Sequence, residues 1–276
     1  MIWQKVKFRL YNKSLIEVSQ EIDGYLAEIG LNTDLIIINN MKNIEATSEE
    51  EAFRLAKEIA NKFLDKLSWK CNYTTEIKPD WGSFEYMDPN TGQKSNHHLC
   101  FVDDNLTLID KVQIEGNSKM IFNSEGPEKI AGESFDAESY FRRGKLSNDC
   151  FDQFRNFYLV VENISSFICQ KKNVGEIKEQ PMLELGLQEC FQNKLPDLVN
   201  QANKVGIVAT QSEVIPQIAS FLYKDNRCCL SHAKEGGNKK KVPFNLKDEE
   251  SVKKALPLME CVAKSFLAYA EKISAP

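Results

Sequence analysis

Arg227 and His232, with four residues between them, lie in the segment Asp225-Asn226-Arg227-Cys228-Cys229-Leu230-Ser231-His232-Ala233-Lys234. Arginine is a permanent cation whose planar fork suits phosphate oxygens, and histidine is the side chain best able to exchange a proton near neutral pH. Together they suggest cleavage of an RNA phosphodiester. Without a metal, that reaction needs a base for the 2′-OH proton, an acid for the leaving 5′ oxygen, and positive charge for the crowded phosphate. Histidine serves as base or acid, and arginine stabilises the charge. One histidine per chain is sparse for two proton transfers. A symmetric dimer that brings two copies of the pair across its axis removes that difficulty.

On one continuous α-helix the offset from 227 to 232 puts the two side chains roughly 140° apart around the axis. The pair therefore requires a helix end near Ser231, a second copy of the chain, or both. Gly236-Gly237 supports an early end, since glycine favours termination soon after the last turn. Lys234 and the run Asn238-Lys239-Lys240-Lys241 make a local basic loop, which is either a phosphate-steering patch or an ordinary solvated loop. Candidate substrate contacts are thus Lys234, Lys239 and Lys240. Asn226 would orient the phosphate or simply form a turn. Arg155 and Glu162 share one side of a helix with Tyr158 between them, and either lie along an RNA groove or belong to a structural polar network.

Other constellations carry less. On a strand, His98 and Cys100 face one way and His97 the other, and no second cluster at usable spacing completes a zinc set, so no metal is expected. Nothing marks a base-activated cysteine. The chain has no P-loop and no GxGxxG, and no cofactor is expected.

The elements that must position these residues fall into two halves. The chain has 276 residues, is 42% hydrophobic and 27% charged, and carries a net charge of −5, as expected for a folded protein of one large or two ordinary domains. A mildly acidic chain is not a general nucleic-acid coat, so RNA contact should be local. The N-terminal stretch lacks the apolar run of a signal peptide, and no run is long enough to span a bilayer. The eight cysteines are spread without a CxxC pair, and Cys228-Cys229 are expected to pack as small apolar residues. A soluble, cytoplasmic protein with reduced thiols is the expectation.

Strand signals dominate before about residue 117. Val6, Phe8 and Leu10 alternate with Lys5, Lys7 and Arg9, and Leu35 to Ile38 is a short apolar run. Tyr73 to Ile77, His98 to Val102, Leu106 to Ile109 and Lys111 to Ile114 also read as strands, with turns at Pro79-Asp80 and Asp88-Pro89-Asn90. Between them lies one helix, capped by Thr47 or Ser48 and carrying Phe53, Ala56, Ile59, Ala60, Phe63, Leu64 and Leu67 at helical spacing. The segment 123–127 reads as a linker. Beyond it helices are expected from Asn148 to Lys171, from Met182 to Asn193, from Leu198, from a Ser212 cap through Arg227, and from Lys247 to Ile273 with a kink or late start at Pro257. The fold class is α+β: a mixed domain over 1–130, with a sensing or regulatory role, and an all-α helical bundle over 136–276.

The C-terminal half resembles the HEPN domain, a helical-bundle family whose ribonucleases carry Arg-x(4–6)-His between the later helices, in its Apea-like and MauJ-like branches. The resemblance rests on Arg227 and His232, on the first bundle helix from Cys150 to Ile164, and on Leu230-Ser231-His232-Ala233-Lys234. It implies a homodimer with a composite, metal-independent endoribonuclease site acting on single-stranded or tRNA-like RNA. It also implies a role in antiphage defence or a toxin system, where an antitoxin or defence partner would restrain it. The family motif assigns Arg227 and His232 alone. Active members often place Asn or Asp after the arginine, whereas this chain has Cys228, and the family includes silent scaffolds and sensors. A catalytically inactive bundle that mediates dimerisation or partner binding is therefore the alternative.

Overall fold

A computed structural model of the chain describes residues 2–41, 46, 48–87, 90–102, 105–107, 128–129, 135–175, 177–231 and 240–274. It divides into two compact units, Met1–Gly132 and Glu133–Pro276. The first is a sheet with one long helix and the second is helical, so the protein is α+β.

In the first unit the strands are β1 (Ile2–Leu10), β2 (Val18–Ile22), β3 (Tyr25–Ile29), β4 (Leu35–Asn39), β5 (Ile77–Met87), β6 (Lys94–Val102), β7 (Asn105–Thr107) and β8 (Glu128–Lys129). Among the described residues they form one sheet in the order β7-β6-β5-β1-β4-β3-β2-β8, antiparallel throughout except for β8 beside β2. The alternation in β1 has its expected consequence: Val6, Phe8 and Leu10 are buried while Arg9 is exposed. The β2–β3 hairpin turns on Asp23-Gly24, both at positive φ, the dipeptide that a two-residue primed turn favours. Helix α1 (Glu49–Lys70) is capped by Ser48, whose hydroxyl accepts from the Glu51 amide. Its Ala56, Ile59, Ala60, Phe63, Leu64 and Leu67 join Phe8, Ile36 and Ile38 in one buried cluster, each large side chain contributing roughly 1.5–3 kcal/mol.

Two details depart from expectation. Tyr73 to Glu76 precede the ladder, which starts at Ile77, and the Tyr73 hydroxyl donates to the Asn12 carbonyl at 3.0 Å. Pro79-Asp80 lies inside β5 and makes no chain reversal. The register jumps there from Phe8↔Gly82 to Leu10↔Ile77. That bulge absorbs a proline that has no N–H to give the ladder. The strands expected at 108–109 and 111–114, the turn at 88–89 and the linker at 123–127 lie outside the described residues.

The second unit contains α2 (Asp136–Leu146), α3 (Cys150–Lys171), α4 (Glu179–Phe191), α5 (Leu195–Lys204), α6 (Val214–Ser220), a π-helical segment (Phe221–Arg227), α7 (Cys228–Ser231) and α8 (Leu246–Ser274). Helix α3 is central and packs on α2, α4 and α8. It starts at an Asp149 cap that accepts from the Asp152 amide, and it buries Phe154, Phe157, Val161, Ile164 and Ile168. A side chain at Gly186 of α4 would meet the Phe266 ring of α8 at 2.6 Å, so only glycine allows those helices to approach so closely. Helix α2 is absent from the expected elements. Its N-cap, Phe135, makes no side-chain bond, so the usual start signal is missing. Helix α8 begins before Pro257 and runs through it, so no late start occurs there. Glu213, not Ser212, is the N-cap of α6, and the Ser212 hydroxyl bonds that of Thr210.

Candidate active site around Arg227

The segment carrying Arg227 is π-helical where an α-helix was expected. Its backbone closes from the Cys228 amide to the Tyr223 carbonyl, the five-residue bond that defines a π turn. Two side chains follow the same spacing. The Asn226 amide donates to the Phe221 carbonyl at 2.9 Å, and the Cys229 thiol donates to the Lys224 carbonyl at 3.2 Å. Such side-chain donors satisfy carbonyls that regular α geometry would have used. Asn226 is fully buried and its Oδ1 accepts from Lys241 at 2.6 Å, so both ends of the amide are occupied. In the structure it acts as a staple of the π turn.

Arg227 emerges from this turn beside α3 and the first residue of α4. Its Nε pairs with Glu179 Oε1 at 2.9 Å, and the same oxygen accepts from the Tyr158 hydroxyl at 3.1 Å. The guanidinium carbon is 6.0 Å from the Tyr158 ring centre, within reach of a cation–π attraction. Arginine has five N–H donors; Glu179 forms an ion pair with Nε, and among the described residues no other ion-pair or hydrogen-bond partner is found for Arg227. The remaining donors belong to a side chain that lines a cavity of about 160 Å³ together with Phe154, Arg155, Tyr158, Leu159, Glu162 and Leu230.

Charge in this cavity is arranged unevenly. Burial and then the neighbouring Glu179 raise the Glu162 carboxyl above its ordinary range, while Arg227 pulls the other way. The Tyr158 phenol is pushed well up by burial, with Glu179 and Glu162 adding to the effect, so it stays a neutral donor. Tyr223 is raised by burial and by contact with Cys228, and it also feels Glu179 and Arg227. The result is a cation paired with Glu179 in the field of Glu162, whose carboxyl binds its proton more tightly than usual.

The structure brings Arg155, Glu162 and Arg227 to one cavity. Arg155 is exposed and tied to Asp152 at 2.8 Å. Lys240 is exposed. His232, Lys234 and Lys239 lie outside the described residues, and the described helix runs as far as Ser231. Glu179 was missed because the second helix was expected to start at Met182, which leaves Glu179 in a loop; the true start is at Glu179, after a Lys178 cap with no side-chain bond. In the first unit His97 and His98 stand on β6, His97 opposite Phe84 and His98 opposite Ser83. His97 Nδ1 is 3.0 Å from Glu49 and its Nε2 is 3.0 Å from the Tyr86 hydroxyl, while His98 lies against Trp81. Among the described residues no group of three His, Cys, Asp or Glu is placed to hold a metal ion, and no helix is long and apolar enough to cross a membrane.

No curated protein and no solved structure matches the chain. Residues 137–268 match the family model described as methylamine utilization protein MauJ. That span reaches from α2 into the last part of α8 and includes every residue around the cavity, so the helical unit is similar to the MauJ family.

Proposed function

We propose that the helical unit is a metal-independent endoribonuclease of the HEPN type, active as a homodimer. The observation that carries this reading is Arg227. It is fixed through one nitrogen by Glu179, its other N–H groups belong to a side chain at a partly apolar cavity, and the chain reaches His232 five residues later. In the mechanism, the RNA 2′-OH attacks the adjacent phosphorus, His232 exchanges the proton and Arg227 stabilises the phosphorane charge. Glu162, with its raised carboxyl, offers a second group for proton exchange beside the same arginine. Two-fold pairing of such sites supplies the second histidine. A role in antiphage defence or a toxin system, in the cytoplasm and under a restraining partner protein, fits this chemistry. The first unit would then sense or regulate.

A second reading has its own support. Arg227 is already engaged by Glu179, and Cys228 follows it, as in a bundle that has kept the arginine for structure and serves as a scaffold. Purified protein incubated with RNA in EDTA separates the two. The nuclease reading expects cleavage by the parent and loss of about a hundredfold or more in His232→Ala. Equal rates would remove His232 from the mechanism, and an inert parent would favour the scaffold.

A further inference from the structure

A cleft of about 380 Å³ lies between the α4–α5 corner and the C-terminal half of α8, within the size range of small-molecule sites. Lys264 and Lys272 stand on its α8 wall with Ala268 midway between them. At helical spacing the three share one side, and the lysine Cα atoms lie about 12 Å apart along the axis. Ala268 leaves the space between them open. Lys194 contributes a third ammonium from the corner, beside the amides of Gln192 and Asn193. None of these three lysines has an ion-pair partner among the described residues.

The acid in the lining is Glu189, and it is already neutralised. One carboxylate oxygen pairs with Lys172 at 3.0 Å and the other accepts from the Tyr269 hydroxyl at 2.7 Å. Burial alone would raise this carboxyl, but the bonds from Tyr269 and Lys172 outweigh it and hold the group below its usual range. The cleft therefore concentrates positive charge in a chain whose net charge is −5. Three ammonium groups and two neutral amides lining one cleft suit a multiply charged anion better than a single carboxylate.

We propose that this cleft binds a compact ligand through a phosphate ester or diphosphate group, at a place separate from the Arg227 cavity. Calorimetric titration of the full chain with pyrophosphate at about 0.15 M ionic strength tests it. Saturable binding at one site per chain is expected. It should weaken by about tenfold or more in Lys264→Ala/Lys272→Ala, since each lost charge-assisted bond is worth at least that much. The melting temperature without ligand should not change, because both lysines are exposed. Lys13→Ala/Lys94→Ala, which removes as much charge from exposed positions in the other unit, should bind as the parent does. Arg227→Ala should also bind normally, which keeps this site distinguishable from the nuclease.

Competition identifies the source of the phosphate. Displacement of pyrophosphate by a 5′-phosphorylated oligonucleotide, but not by its dephosphorylated form, would assign the group to a nucleic-acid end. Displacement by neither would assign it to a free small molecule. Three results would overturn the proposal: no saturation in the parent, equal weakening in the two double-lysine variants, or displacement by both oligonucleotides, which would make the cleft a general polyanion track.

Discussion

Each unit holds a basic side chain, a carboxylate and a tyrosine hydroxyl in contact, and the two clusters differ in what they leave unused. In the first unit, Glu49 occupies one nitrogen of His97 and Tyr86 the other, so the imidazole has no remaining donor or acceptor. In the second, Glu179 engages Nε of Arg227 and accepts the Tyr158 hydroxyl through the same oxygen. The guanidinium keeps donors to spare beside a cavity. Similar residue types thus make a closed structural knot in one unit and an arginine held ready in the other. Leftover hydrogen-bonding capacity is what the proposed cleavage would draw on.

The largest effect that would separate the clusters is on RNA cleavage. Arg227→Ala should slow initial rates in EDTA by about 10²–10³-fold, the loss typical of removing one preorganised charge stabiliser. His97→Ala should leave them unchanged. Equal losses would erase the distinction. Stability comes next. Glu179→Ala leaves the Tyr158 phenol without its acceptor and Arg227 without its ion pair, and should cost about 1–3 kcal/mol in urea unfolding. His97→Ala removes hydrogen bonds that are partly solvent-exposed and should cost about 1 kcal/mol. If the two costs were reversed, the knot would be in the second unit.

The smallest expected effect concerns pH. The folded state raises the Glu162 carboxyl above its ordinary value of 4.5, so folding binds its proton more tightly than the unfolded chain does. Below the ordinary value both states are protonated and Glu162 costs nothing. As pH rises through the folded-state value the parent loses stability, because the half-buried carboxyl must ionise. Glu162→Gln has no such group. Its melting temperature relative to the parent should therefore increase between about pH 4 and pH 7, and a flat difference would mean that Glu162 is solvated like a surface carboxylate.

Much of the first unit was legible in the sequence, because its signals are local. The alternation of Val6, Phe8 and Leu10 and the Ser48 cap each act within a few residues. Pro79-Asp80 was misread because a bulge and a turn use the same dipeptide chemistry, and only the partner strand distinguishes them. Long helices α3 and α8 were legible from apolar spacing, whereas α2 was not, since it buries only Ala137, Glu138, Phe141 and Gly144 and has no side-chain cap. At the site, Arg227 announced itself by type, while Glu179 is remote in sequence and meets it only through the packing of α4 on α3. The π turn had no periodic signature. It depends on Asn226 and Cys229 bonding carbonyls five residues back, a use of a short amide and a thiol that leaves no mark on apolar spacing.

If the Arg227 cavity serves the proposed cleavage, the attacking group is the substrate's own 2′-OH. The direct measurement compares an RNA oligonucleotide with its fully 2′-O-methylated counterpart, both incubated with the parent protein in EDTA, with the product ends analysed. The RNA should be cut to a 5′-hydroxyl fragment and a fragment ending in a cyclic or opened phosphate, and the methylated strand should stay intact. Cleavage of the methylated strand, or cleavage that appears only when a divalent metal is restored, would contradict the proposed mechanism.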